Sequence, residues 1–250
     1  MSHPALSTLR LAAVNIDGVL LNDTFSPVMH RLVAAQGVEY TPELERALLS
    51  RPQLEAAQVF VEVTGTSATP LEVLGAYFAE RERYLREQPV RLLDGAVALL
   101  ERLRALGLDL VCYGGLDESH FQRHLGPWAA YFSEPGYICT NAFRPGIREI
   151  TRDFFSLAPH QALFIDDAAS VAEKARELDV PFIGHPSPFA HGFQQELMRR
   201  AGVRYLVREL AAIDEAMLRA LDAEAAGRTV WRHGEPTPPQ PAAEAPGARS

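Results

Sequence analysis

Short apolar runs that read as buried strands alternate with helical patterns through most of the 250 residues. Together they predict an α/β fold, a Rossmann-like parallel sheet core with an inserted α-helical cap domain. Several of the runs end in polar groups, as strands do where a parallel sheet gathers its ligands. Between Asn22 and Gln88 the strand signal stops and only helical spacing remains, which marks the insertion.

The elements follow in order. Residues 9–14 form the first strand, and Asn15-Ile16-Asp17-Gly18 follows it. Residues 27–36 are helical and stop at Gly37. Thr41-Pro42-Glu43 starts a second helix, with a Thr cap, Pro at the first helical position and acids in the first turn. A third helix covers 53–64 after Pro52. A long fourth spans 70–87, with Leu71, Leu74, Tyr77, Phe78, Arg81 and Leu85 at helical spacing, and Pro89 ends it. The next helix opens at Asp94-Gly95 and closes on Gly107. Strand 108–113 leads into the turn Gly114-Gly115. Residues 117–125 form a short helix, 137–139 a short strand and 147–155 a helix. Strand 162–165 ends in Asp166-Asp167, and 171–178 is its crossover helix. Strand 180–184, helix 193–201, a final short strand 205–207 and a terminal helix 213–225 complete the series.

The expected domains are a core of 1–21 and 89–210, a cap of 22–88, a C-terminal helix in 211–232 packing on the core, and a disordered tail. Residues 233–250 are rich in Pro, Ala and Glu and hold too few large apolar groups to fold.

Hydrophobic residues make up 47% of the chain, enough to bury a core. A net charge of −8 argues against binding nucleic acid or an anionic membrane, which want a basic face. Cys112 and Cys139 lack metal-like spacing, and Cys112 lies in an apolar run. A cytoplasmic, disulfide-free protein is the expectation. The first ten residues lack the basic start and apolar stretch of a signal peptide. No apolar run reaches the ~20 residues of a membrane span. The basic residues are almost all arginine; Lys174 is the single lysine.

The sheet topology by itself brings three polar strand ends together: Asn15 with Asp17, Gly114 with Gly115, and Asp166 with Asp167. Taken singly, each has a plain structural reading. An Asp-Gly after a strand is usually a turn, and paired acids suit a helix N-terminus.

In order and context, these residues resemble the motifs of the haloacid dehalogenase superfamily. The likeness covers about residues 9–210. Val14-Asn15-Ile16-Asp17-Gly18 is similar to its strand followed by Asp-x-Asp-Gly, and 162–168 to its fourth motif. The insert lies where the branch with a helical C1 cap carries one, as in phosphoglycolate phosphatase-like and beta-phosphoglucomutase-like proteins. The resemblance implies a metal-dependent, phosphatase-type site for a small phosphorylated molecule. Asn15 stands at the nucleophile and metal-ligand position, where the family has aspartate. Asp17 takes the acid/base position and offers its carbonyl to the metal. Gly114, with Gly115, stands where a Ser or Thr hydroxyl binds phosphate, and Arg144 where a lysine does. Asp166 and Asp167 hold the Mg²⁺ position, Asp167 directly and Asp166 in support.

An amide cannot form an aspartyl-phosphate, and it removes one negative charge from the site of a hard cation. Weak or lost phosphatase chemistry follows, with two readings. One is a hydrolase in which Asp17 activates a water. The other is an inactive relative that binds a phosphorylated ligand or a protein. Thr64 and Thr66, in a polar loop between cap helices, are the expected specificity residues. Arg31, Arg46, Arg51, Arg81, Arg83 and Tyr84 read mostly as solvated helix faces, Phe25 as hinge packing, and His120 with His124 as an exposed helix face. His185 receives no role.

Overall fold

The computed structural model describes residues 4–232. Five parallel strands form its sheet, β1 (Leu11–Asn15), β2 (Asp109–Gly114), β3 (Tyr137–Cys139), β4 (Ala162–Asp166) and β5 (Phe182–Gly184), in the order β3-β2-β1-β4-β5. β1 is central and every one of its residues is buried, as a strand covered on both faces must be.

Alternation along β1 builds two cores. Ala12 and Val14 pack with Leu99, Leu103, Leu218 and Leu221, from α5 (Ala96–Ala105) and α9 (Glu215–Gly227). Leu11 and Ala13 face Val171, Ala172, Ala175 and Met198, from α7 (Ala169–Glu177) and α8 (Gln194–Arg200). α6 (Glu118–Leu125) leads out of the β2 end. Asp222 of α9 ties down the chain entering β1 by accepting from the backbone N–H of Ser7, Thr8 and Leu9, at 2.9, 2.9 and 2.7 Å.

Four of the five helices between β1 and β2 make up the insertion: α1 (Ser26–Ala35), α2 (Pro42–Leu48), α3 (Gln53–Thr64) and α4 (Pro70–Glu87). They share a third apolar cluster, which includes Val33, Leu44, Leu48, Phe60 and Val73. The Thr41 hydroxyl caps α2, accepting from Leu44 N at 3.2 Å. Thr69 and Glu72 form a reciprocal capping box on α4.

The cap meets the core through α2. Arg46 makes a bidentate pair with Glu173 of α7 at 2.7 and 2.6 Å. Buried Glu45 accepts from Phe193 N at 2.9 Å and from Gln194 Nε2 at 2.6 Å. Arg81 is buried at the hinge, donating to Thr24 Oγ1 and lying over the Phe25 ring with its guanidinium carbon 4.4 Å from the centroid. Arg46 stays on the surface as the sequence pattern suggests, whereas Arg81 is not the solvated side chain expected there.

Two elements differ from expectation. The strand expected at 205–207 is a single bridge between Gly184 and Leu206, because β5 ends at Gly184 and Pro186, lacking an N–H, cannot extend a ladder. The helix expected at 147–155 widens into a π turn over Glu149–Phe154. The tail expected to be disordered, 233–250, lies outside the described residues.

Candidate functional site

The carboxyl ends of β1, β2 and β4 come together below the cap, and the loop after β3 adds one arginine. A cavity of about 150 Å³ opens there, lined at its core end by Asn15, Asp17, Gly115, Arg144 and Asp167. Asn15 is held by register: it ends β1 opposite Tyr113 of β2 and is buried. The chain then turns sharply, with Leu21 N donating to Ile16 O at 2.8 Å and Gly18 N to Leu21 O at 2.8 Å. Gly18 adopts a φ of +86°, and a Cβ there would collide with the Asp167 carboxylate. The glycine is therefore required twice, by conformation and by the close approach of Asp167. Buried His185 steadies the same turn, its Nδ1–H donating to Gly18 O at 2.8 Å. Burial pushes His185 below the usual histidine range, so it serves as a neutral donor.

Asn15 Nδ2 donates to Asp17 O at 2.8 Å and to Asp167 Oδ1 at 2.9 Å. The orientation of this amide follows from its partners, since a carbonyl oxygen can only accept. Asp166 is fully buried and committed: one oxygen takes the Tyr113 hydroxyl at 2.5 Å and the other Ala168 N at 2.8 Å. Burial raises the carboxyls of both Asp166 and Asp167, and Asp167 rises further because Asp166 and Asp23 add their repulsion.

Arg144 makes no hydrogen bond or ion pair among the described residues, and its buried Nε has no partner. Its guanidinium lies against Gly115, where a Cβ would strike Nη1. Gly115 thus makes room for the arginine and lines the cavity. At Gly114 a Cβ would meet Ile16 and the Tyr137 hydroxyl, so a serine or threonine there requires Ile16 to move.

Asp17 has a partner that residue spacing did not suggest. His120 Nε2 lies 2.9 Å from Asp17 Oδ1, and His120 is buried. The expected exposed face for this histidine is corrected: α6 starts just beyond Gly114-Gly115, and its first turn points back to the β1 end. His124 stacks edge-on against His120 at 4.9 Å. The available signal was position rather than spacing, a histidine in the first turn after the second polar strand end.

Thr64 and Thr66 do not line the cavity. Thr64 bonds back to Phe60 O at 2.8 Å, and Thr66 accepts from Ala68 N at 3.4 Å. The α2–α3 connection faces the site instead, through Leu49, Ser50, Arg51 and Gln53, and Gln53 Nε2 donates to Gly115 O at 3.1 Å. Arg51 sits exposed at the cavity with no ion pair among the described residues. Phe25 and Asp23 line the cavity as well as the hinge.

Among solved structures, a haloacid dehalogenase-like protein of unknown function from Agrobacterium tumefaciens matches with a TM-score of 0.61 and 17% identity, over 85% of this chain and 99% of that one. The chain has the haloacid dehalogenase fold. A predicted phosphoglycolate phosphatase from Haemophilus somnus matches with a TM-score of 0.58 at 17% identity, over 84% and 98% of the two chains. A haloacid dehalogenase family hydrolase from Deinococcus radiodurans, solved with bound phosphate and sodium, matches with a TM-score of 0.56 at 15% identity, over 88% and 97%. No family model matches the sequence, and no curated protein matches it. Within the haloacid dehalogenase fold, the helical insertion between β1 and β2 is the C1 cap.

Phosphatases of this fold typically use Mg²⁺. The donors here do not fit that ion as arranged. The Asn15 amide points N–H groups at the Asp17 carbonyl and Asp167 Oδ1, the oxygens a cation would need. Both Asp166 oxygens are engaged. Among the described residues no group of three or more His, Cys, Asp or Glu side chains could hold a metal. No described helix is long and apolar enough to cross a membrane.

Proposed function

We propose that the site binds a small phosphorylated molecule, or an anion of the same chemistry, and that phosphoryl transfer through an aspartyl intermediate is lost. The pairing of Asn15 carries the reading. The side chain at the nucleophile position is neutral, its nitrogen lone pair is delocalised, and its N–H groups are spent on Asp17 O and Asp167 Oδ1. Those bonds tie together the oxygens that a cation would otherwise bridge. Arg144 supplies the attraction for an anion: a guanidinium at the cavity floor with a buried nitrogen lacking a partner. Its planar fork suits a phosphoryl group. The phosphate in the Deinococcus radiodurans structure supports the same class of ligand.

The test is calorimetric titration with inorganic phosphate, alongside hydrolysis of a generic aryl phosphate. Wild type should bind phosphate, and Arg144→Gln should weaken binding at least about tenfold, the equivalent of about 1.4 kcal/mol. Turnover by wild type should fall far below that of Asn15→Asp in magnesium. Absence of phosphate binding sinks the reading. An equally inert Asn15→Asp means that the site has departed by more than one residue, and binding alone remains.

One observation favours a second reading, hydrolysis by water. The Asp17–His120 pair joins a carboxylate at the acid/base position to a buried imidazole. Asp17 would take a proton from water as its oxygen bonds to phosphorus, and would hand that proton to the leaving oxygen as its bond to phosphorus breaks. Slow wild-type turnover that disappears in Asp17→Asn with phosphate binding intact supports this reading. Zero wild-type turnover removes it.

A further inference from the structure

The cavity extends from the polar floor into the middle of the cap, and its walls change character on the way. Beyond Asp23 and Phe25 it is walled by Met29 of α1, Leu48 of α2, Ala57 and Phe60 of α3, and Leu74 and Phe78 of α4. All of these but Phe78 belong to or pack against the apolar cluster that holds the four cap helices together. Interiors ordinarily close around such clusters and leave few voids larger than a water. Here the space persists, and Ala56 and Ala57 face it where larger side chains would fill it. Past the floor, Asp23 and the α2–α3 connection, the polar side chains of the lining are Ser26 and Tyr77, whose hydroxyl is turned to Phe25 O at 3.5 Å, so the cap end gives ordered water few partners.

We infer that the cap chamber holds the apolar tail of the ligand, one aromatic ring or a short branched alkyl group, while Arg144 holds its anionic head. The whole cavity, floor included, measures about 150 Å³, which limits the tail to one small group of this kind. The walls disfavour the polyhydroxy tail of a sugar phosphate, most of whose hydroxyls would meet Met29, Phe60, Leu74 and Phe78 without partners. The assignment of the head rests on the reading of Arg144 given above. The assignment of the tail rests on the cap walls.

Titration calorimetry of the full chain with inorganic phosphate, methylphosphonate and phenylphosphonate tests both parts separately. Phenylphosphonate should bind at least about tenfold more tightly than methylphosphonate, as burial of a ring requires. Ala57→Phe should erase that preference and leave inorganic phosphate binding within about twofold of wild type. Ala56→Leu, a smaller addition to the same wall, serves if Ala57→Phe does not fold. Equal affinities for the two phosphonates in wild type, or a preference that survives both substitutions, overturns the tail assignment with the anion reading intact. Phenylphosphonate binding that is unaffected by Arg144→Gln, with no binding of inorganic phosphate, overturns the joint assignment at its head. No binding of any of the three overturns it whole.

Discussion

Asn15 Nδ2 stands 2.9 Å from Asp167 Oδ1, across 152 residues of sequence, and this bond replaces the repulsion that two carboxylates would feel there. An aspartate at position 15 brings a third acid next to Asp166 and Asp167. Without a cation, Asn15→Asp should lose about 1.5–3 kcal/mol, the range for a hydrogen bond to a charged group, with repulsion added. Magnesium should restore stability to the variant by binding its native state, and should leave wild type little changed. Thermal unfolding in EDTA and in millimolar Mg²⁺ measures both. A magnesium-induced rise in Tm for wild type equal to that of the variant contradicts the reading of the amide.

Glu45 is a buried carboxylate between cap and core. One oxygen is bonded to Phe193 N and Gln194 Nε2, and the Tyr40 hydroxyl lies beside the carboxylate. Burial pushes its carboxyl above the usual range, against the pull of those two donors. The unfolded chain releases this proton near about pH 4.3, whereas the native state holds it to a higher pH. Stability is therefore full below the unfolded value and declines as pH rises through the interval up to the folded one. Glu45→Gln should flatten that decline and raise the urea midpoint at pH 7, because a neutral amide is less costly to bury and can donate to the neighbouring Tyr40 hydroxyl. Urea melts between pH 4 and pH 7 decide it. A variant less stable than wild type at pH 7 refutes the assignment.

Asp222 shows the opposite sign. Burial alone would raise its carboxyl, but the N–H groups of Leu9, Ser7 and Thr8 and the Ser7 hydroxyl outweigh it and hold it below the usual range. Its contribution is present above the unfolded value and is lost as pH falls through the folded one. Asp222→Asn cannot satisfy the same donors with one acceptor oxygen, so it should cost about 2–3 kcal/mol at pH 7. The cost should shrink toward pH 3. A difference from wild type that is constant with pH removes the charge from the explanation.

Much of this molecule was legible in local pattern. Leu11–Asn15 and Ala162–Asp166 are apolar runs with no polar face, which only a strand covered on both sides tolerates. Thr41, Pro42 and Pro70 mark helix starts by chemistry that acts within one turn. The convergence of Asn15, Asp17, Gly115 and Asp167 followed from parallel topology. The failures were pairings between distant segments. His120 and His124 look like a solvated helix face until α6 is docked beside β1. Thr64 and Thr66 look like a polar loop that could reach the site until the α2–α3 connection is found in that place.

The sequence by itself determined the order of strands and helices, the place of the insertion and the replacement of carboxylate by amide at position 15, because each depends on residue type and local spacing. The tertiary structure alone decided what the amide does. Its two acceptors are a carbonyl two residues away and a carboxylate 152 residues away. Hydrogen bonds select by distance and angle in space, and separation along the chain does not enter. The same holds for His120 on Asp17, for Arg144 without a partner, and for the apolar chamber, which exists only once four helices enclose it.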